Sequence, residues 1–175
     1  MNEAVDAAEI SYALRPVRSA DVPRLVELNN QAAPAVPVET AESMAALLGV
    51  AGWTSVVEGP DQTLIGAVIT VAAGADYGSE NYVYFERAFD RHLYIDRVFV
   101  DHAHRSAGIG KALYRAVEDE AQRREVSAVT CEVNLEPPNP RSLAFHRREG
   151  FRDLDTQATK GGSVVVQLMA KEIAQ

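Results

Sequence analysis

The run Arg105-Ser106-Ala107-Gly108-Ile109-Gly110-Lys111 is where residue type and spacing first point to chemistry. Two glycines and two flanking cations stand between an aromatic, β-branched run and a helix-forming one. The first N–H groups of a helix have no carbonyl partner inside it and carry partial positive charge. Glycines remove the side chains that would keep a phosphate away from those donors, and Arg105 and Lys111 add charge beside them. This is the chemistry of a pyrophosphate cradle. Two related motifs do not fit. The dinucleotide fingerprint needs a third glycine where Leu113 stands. The nucleotide P-loop needs Gly-Lys-Ser/Thr, yet Ala112 follows Lys111 and Arg105 occupies the first glycine position. A tight strand-to-helix turn without a ligand is the architectural alternative.

Other constellations are weaker. Asp101-His102-Ala103-His104 offers metal-ligating types, but His92 and His146 are distant in sequence and no fourth ligand is evident. A solvated loop and no metal is the expectation. Cys131, Glu132 and His146 could be drawn as a nucleophilic set. Cys131 and Glu132 are neighbours in a strand, however, and point to opposite faces. Cys131 is therefore expected to be buried and inert.

Positioning these groups requires a strand before the turn and a helix after it. Leu93 to Val100 reads as that strand. The helix spans about Gly108 to Arg124, with Ile109, Leu113, Val117 and Ala121 at a spacing of four. Upstream, Tyr12 to Val17 is a short strand. A helix begins near Asp21 and Pro23, and a second at Thr40 runs to about Val50. The prolines at 34 and 37 make residues 29–39 a loop. Trp53 to Val57 and Thr63 to Val71 are strands, and Asn81 to Asp90 reads as a short helix or a lid. Its aromatics Tyr82, Tyr84, Phe85 and Phe89 are core or an acceptor wall. Ser127 to Val133 is a strand, and Asn139-Pro140 starts a helix that ends at Gly150. A hairpin of Phe151–Ala158 and Ser163–Leu168 closes the chain. The order is β-α-α-β-β-β-α-β-α-β-β, an α/β fold with a mixed sheet and helices on its faces. Residues 1–10 are expected to be a flexible acidic leader and 11–175 a single domain.

Composition limits the partners. Seventeen basic against twenty-five acidic residues give a net charge of −8, which argues against nucleic acid. The single cysteine forbids an internal disulfide and suits a reducing compartment. The start lacks a basic region followed by an apolar one, so it is not a secretory signal. The longest apolar stretch, Leu64 to Ala73, is too short to span a bilayer. A cytoplasmic protein without a membrane partner is expected.

The run Arg105-x-x-Gly108-x-Gly110 after a strand resembles the coenzyme A motif of the GNAT acetyltransferase superfamily. Downstream, Asn139-Pro-Arg-Ser142-Leu-Ala-Phe145-His146-Arg-Arg-Glu-Gly150-Phe151 resembles the family's second element. The opening Arg15-Pro16 … Ala20-Asp21 is similar to the family's as well. The resemblance runs from about Tyr12 to the C-terminus. It implies a splayed central strand pair with acetyl-CoA, the co-substrate, lying in the gap. The pantetheine arm would pair with backbone at Val98, Phe99 and Val100, one N–H of which would polarise the thioester carbonyl. The pyrophosphate would sit on N–H groups of Ser106, Ala107, Gly108, Ile109, Gly110 and Lys111. Asn139 would touch the pantetheine, cap its helix, or do both.

The resemblance also implies an N-acetyltransferase that moves the acetyl group directly to a primary amine. The acceptor is a small molecule or peptide that the sequence does not name. A carboxylate must take the amine proton. Glu132 fits the family's pattern, although Leu135-Glu136-Pro137-Pro138 departs from it. Asp96 is the second candidate, and alternation puts it on one face with Val98. A structural salt bridge is the other reading of either carboxylate. His146 stands where the family commonly has a tyrosine, and could protonate the leaving thiolate. A non-catalytic acyl-CoA sensor or interaction domain is the alternative function, and homodimers are common in such families.

Overall fold

The computed structural model describes residues 11–34 and 36–174; the leader expected at residues 1–10 lies outside the described residues. The elements are β1 (Ala13–Arg15), α1 (Val22–Gln31), α2 (Ala41–Val50), β2 (Trp53–Glu58), β3 (Leu64–Ala72), α3 (Glu80–Ala88), β4 (His92–Val100), α4 (Ile109–Arg123), β5 (Ala128–Glu136), α5 (Pro140–Arg148), β6 (Arg152–Thr159) and β7 (Val164–Glu172). Asn81 to Asp90 thus resolves as a helix, which adds α3 between the third and fourth strands. Ser79 caps it by accepting from Tyr82 N–H. Among the described residues no helix is long and apolar enough to cross a membrane.

Among the described residues seven strands form one sheet in the order β1-β2-β3-β4-β5-β7-β6. Of these described strands only β4 and β5 run parallel, and they pair only at His92–Ala128, Leu93–Val129 and Tyr94–Thr130. Beyond Tyr94 the two strands splay apart. On its other edge β4 stays paired with β3 as far as Val100–Gly66.

Two layers of helices cover the sheet. On one face, Ile109, Leu113, Val117 and Ala121 of α4 are buried against Val57, Val68, Ile95, Val129 and Cys131. Burial of four aliphatic side chains from one stripe, at roughly 25 cal/mol per Å², fixes α4 on this face. Gly66 permits the approach, because a Cβ there would lie 3.1 Å from Ile109 Cγ2 and 3.2 Å from the Phe99 carbonyl. On the other face, Leu25, Leu28, Met44 and Leu47 of α1 and α2 pack on Ala67, Ile69 and Phe99. Next to them Tyr82 and Phe85 of α3 pack on Tyr94, Val166 and Leu168. The aromatic run is therefore core rather than a wall of the cleft.

The register of β3 and β4 slips at one place: Ile69 pairs with Arg97 and Thr70 with Ile95, leaving Asp96 as the extra residue. A bulge lets two consecutive side chains share a face. Asp96 and Arg97 both lie on the α1–α3 side, whereas Val98 packs on the α4 side. This corrects the expectation that Asp96 and Val98 share a face, because simple alternation does not survive the bulge.

Candidate active site

The splay of β4 from β5 opens a cleft of about 840 Å³. Its walls include Val98, Phe99 and Val100 of β4, Cys131 to Asn134 of β5, and Asn139, Ser142 and His146 of α5. Gln31 at the end of α1, Ala32 to Pro34, Val36 and Pro37 of the α1–α2 loop, and Tyr77 to Asn81 before and in α3 line it as well. Thr159 and Lys160 of the β6–β7 hairpin also contribute to the lining. No residue of α2 lines the cleft among those described.

The glycine turn lies where β4 hands over to α4. Gly108 is the N-cap residue of α4 with φ of 76°, a left-handed conformation that glycine adopts without strain. Ser106 reaches φ of 71° as well. The first intrahelical bond runs from Ala112 N–H to Gly108 O at 3.0 Å. The N–H groups of Ile109, Gly110 and Lys111 precede that ladder and have no helical carbonyl to meet. Ile109 contributes only its backbone here, since its side chain is buried in the core. Ser106, Gly108 and Lys111 are exposed, and Arg105 reaches the cleft. The turn is anchored from behind by Asp101, which accepts from Ala103 N–H at 3.0 Å and pairs with Arg24 of α1.

On the face opposite α4, Tyr94 O–H donates to Glu132 Oε1 at 3.0 Å across the point where the strands part. Glu132 Oε2 is buried and has no hydrogen-bond partner among the described residues. Burial, reinforced by the nearby Asp96 charge, pushes the Glu132 carboxyl up to about 7. Tyr94, Asn81 and Arg97 pull it partly back. Asp96 is more fully engaged. Tyr77 O–H donates to its Oδ1 at 2.5 Å and Arg97 Nη1 to its Oδ2 at 2.7 Å. Arg97 Nη2 also reaches Glu39 at 2.9 Å, tying the α1–α2 loop to the bulge. Burial raises the Asp96 carboxyl, against the pull of Arg97 and Tyr77.

The α4 face of the cleft is built from aromatic groups. His146 is 4% exposed and Tyr114, on α4, is 2% exposed. His146 Nδ1 lies 2.8 Å from the Ser142 carbonyl and Nε2 lies 2.5 Å from the Tyr114 hydroxyl. A carbonyl can only accept, so Nδ1 carries the hydrogen, and in the neutral ring Nε2 accepts from Tyr114. Burial lowers the histidine below its usual value, which favours that neutral form. Asn139 accepts from Ser142 N–H at 3.3 Å, so it caps α5 while lining the cleft. Cys131 is buried beside Tyr114, with its thiol pushed well up by desolvation.

The structure therefore brings Asp96, Glu132, His146, Asn139 and the backbone of Val98 to Val100 to one cleft. Of the glycine turn, Arg105 is in the described lining of the cleft and Ser106 to Lys111 are not. Tyr77, Tyr94, Arg97 and Tyr114 were not singled out in the sequence. Tyr94 had one available signal: it stands two positions before Asp96 in the strand, and β-strand alternation puts both on one face. Tyr114 had none, because its partner is 32 residues away. Among the described residues no group of three His, Cys, Asp or Glu side chains could hold a metal ion.

No curated protein matches the sequence. Solved structures do match in fold. The ribosomal-protein-S18-alanine N-acetyltransferase from Escherichia coli superposes with a TM-score of 0.72 at 16% identity, covering 94% of this chain and 96% of that one. Arabidopsis thaliana NAA60, in complex with a bisubstrate analogue, gives 0.72 at 19% identity, covering 93% and 98%. The yncA protein from Salmonella typhimurium, with its cofactor acetyl-CoA, gives 0.69 at 17% identity, covering 94% and 95%. The description of the acetyltransferase (GNAT) family matches residues 39–151, which hold β2 to β5, the glycine turn and all of α5. On that match the chain belongs to the GNAT acetyltransferase family.

Proposed function

We propose that this protein is an N-acetyltransferase that transfers the acetyl group of acetyl-CoA directly to a primary amine. The observation that carries the reading is the carboxylate of Glu132 beside the β4–β5 gap, with one oxygen unpaired and its protonation near neutrality. A base is most useful when its pKa lies near the working pH. The unpaired Oε2 has capacity to accept an amine N–H, directly or through water. Asp96 is assigned a supporting part, since Tyr77 and Arg97 already take both its oxygens.

The substrate's pyrophosphate fits the free N–H groups of Ile109, Gly110 and Lys111, with Ser106, Ala107 and Gly108 shaping the approach and Arg105 adding charge. The unpaired edge of β4 at Val98, Phe99 and Val100 fits the amide groups of an extended pantetheine arm. Asn139 closes the opposite side. The acetyl-CoA seen in the Salmonella structure and the bisubstrate analogue in NAA60 belong to those proteins, and support the same use of the cleft here. The acceptor is a small-molecule or peptide amine. A cytoplasmic protein, with residues 11–175 acting as one unit, completes the reading.

The test is release of free coenzyme A from acetyl-CoA on addition of primary amines: a short alkylamine, a peptide with a free N-terminus and a lysine peptide. Amine-dependent release by the wild type, lost in Glu132→Gln, is the expected outcome. Acetyl-CoA binding without release for any amine would assign a sensor instead.

A further inference from the structure

Beyond the reacting amine, the cleft offers little to a second charge on the acceptor. The Asp, Glu, Lys and Arg side chains described in its lining are Glu80, Asp96, Arg97, Arg105, Glu132 and Lys160. Arg105 belongs to the glycine turn, and Glu132 is taken by the amine on the reading above. Arg97 holds Asp96 through Nη1 and Glu39 through Nη2, so a ligand carboxylate beside it would be a third anion on one cation. Asp96 also accepts from the Tyr77 hydroxyl and Glu39 from Ser43, so both carboxylates already have their donors. Glu80 and Lys160 are exposed, opposite in sign and joined, since Lys160 N–H donates to Glu80 Oε2 at 3.0 Å. A charge carried into the cleft without a partner loses its hydration and gains nothing in return.

Apolar side chains lie along the face that Glu132 occupies. Glu132 pairs with Leu168 across β5 and β7, so Val166 and Val164 follow on the same side of the sheet. Both line the cleft, as do Tyr77 before α3 and Val36 and Pro37 of the α1–α2 loop. The polar side chains Ser79, Asn81 and Thr159 in the same lining are uncharged. Gln157 Nε2 donates to Asn81 Oδ1 at 2.9 Å, and together with the Lys160–Glu80 bond it ties the β6–β7 hairpin to the start of α3. An extended chain passing between these two elements would have to part both bonds.

We propose that the acceptor is a small monoamine with an apolar body, a short alkylamine or arylalkylamine. This rests on the acetyltransferase reading above and names its substrate class. The amine end meets Glu132, and the carbon body lies along Val164, Val166 and Tyr77. Burying that body contributes affinity in proportion to its apolar area. A second ammonium or a carboxylate at the far end of the same chain would be dehydrated against these walls. Peptides, amino acids and polyamines are therefore poor acceptors.

The experiment compares coenzyme A release by the wild type with hexylamine, phenethylamine, hexamethylenediamine, ε-aminocaproate and a short peptide with a free N-terminus. The better of the two monoamines is expected to exceed each of the others in kcat/KM by about tenfold or more. A kcat/KM for the diamine, the amino acid or the peptide that equals or exceeds both monoamines would overturn the proposal and leave the acetyltransferase reading standing. No release with any amine, from a sample that binds acetyl-CoA, would remove that reading and the proposal with it. Val164 is half-buried at the start of β7, and Val164→Asp sets a carboxylate on the apolar wall. The ratio of hexamethylenediamine to hexylamine kcat/KM is expected to rise about tenfold in that variant. A simple loss of packing would lower both values and leave the ratio alone, so a wild-type ratio in Val164→Asp would overturn the placement of the carbon body.

Discussion

The turn at residues 105–111 and the acceptor side of the cleft work through different parts of the chain. The turn presents backbone N–H groups, made available by a left-handed Gly108 and by the start of α4. The acceptor side presents side chains that converge from separate elements: Glu132 from β5, Tyr94 and Asp96 from β4, Tyr77 and Asn81 from the segment around the start of α3. Backbone donors can hold any phosphate, so on the proposed reading the turn supplies affinity. Side chains set one protonation state, so on the same reading the acceptor side supplies chemistry. Substitutions on the two sides should therefore separate binding from turnover.

The largest effect is expected for Glu132→Gln. Turnover should fall by about 10²–10⁴-fold while acetyl-CoA affinity holds. The same variant has a stability signature. With its pKa raised to about 7, folded Glu132 holds a proton that the unfolded chain has already lost between its usual value and about 7. Its contribution to stability consequently falls as pH rises through that window. Melting curves at about pH 5 and about pH 8 should show Glu132→Gln more stable than wild type only at the higher pH.

Next comes the turn. A Cβ at Gly110 would lie 3.9 Å from Phe145, which is ordinary contact, so Gly110→Ala should keep its melting temperature. Its acetyl-CoA affinity should drop about tenfold, or about 1.4 kcal/mol, because the methyl group stands on the phosphate approach. Gly108→Ala meets no atom within 4 Å but must hold φ of 76°. It should lose roughly 1–2 kcal/mol of stability as well as affinity. Equal melting temperatures for the two variants would contradict this account of Gly108.

The smallest effects tune the base. Removing the Asp96 charge in Asp96→Asn should move the acid limb of the pH–rate profile below about 7. Tyr94→Phe removes a donor to the carboxylate and should move the same limb upward. Shifts of that limb in the same direction in both variants would break the assignment of Glu132 as the titrating group.

These regions also differ in how much the sequence discloses. The turn is local: strand, glycines and helix are contiguous, and the four-residue spacing of Ile109, Leu113, Val117 and Ala121 predicts their burial. The opposed faces of Cys131 and Glu132 also follow from alternation within one strand. The acceptor side is non-local. Tyr94 and Glu132 meet because β4 and β5 are parallel neighbours, a pairing that no short-range pattern encodes. Asp96 lies in a bulge that resets alternation, and a single inserted residue leaves no periodic mark. The segment 81–90 stayed ambiguous because its aromatics satisfy a helix or a loop, until packing on Tyr94 and Leu168 selects the helix.

The most direct measurement of the central claim is a calorimetric titration of the purified protein with acetyl-CoA. The account predicts saturable binding at one site per chain, weakened in Gly110→Ala and retained in Glu132→Gln. A folded sample that takes up no acetyl-CoA would contradict it, and would reduce the glycine turn to architecture.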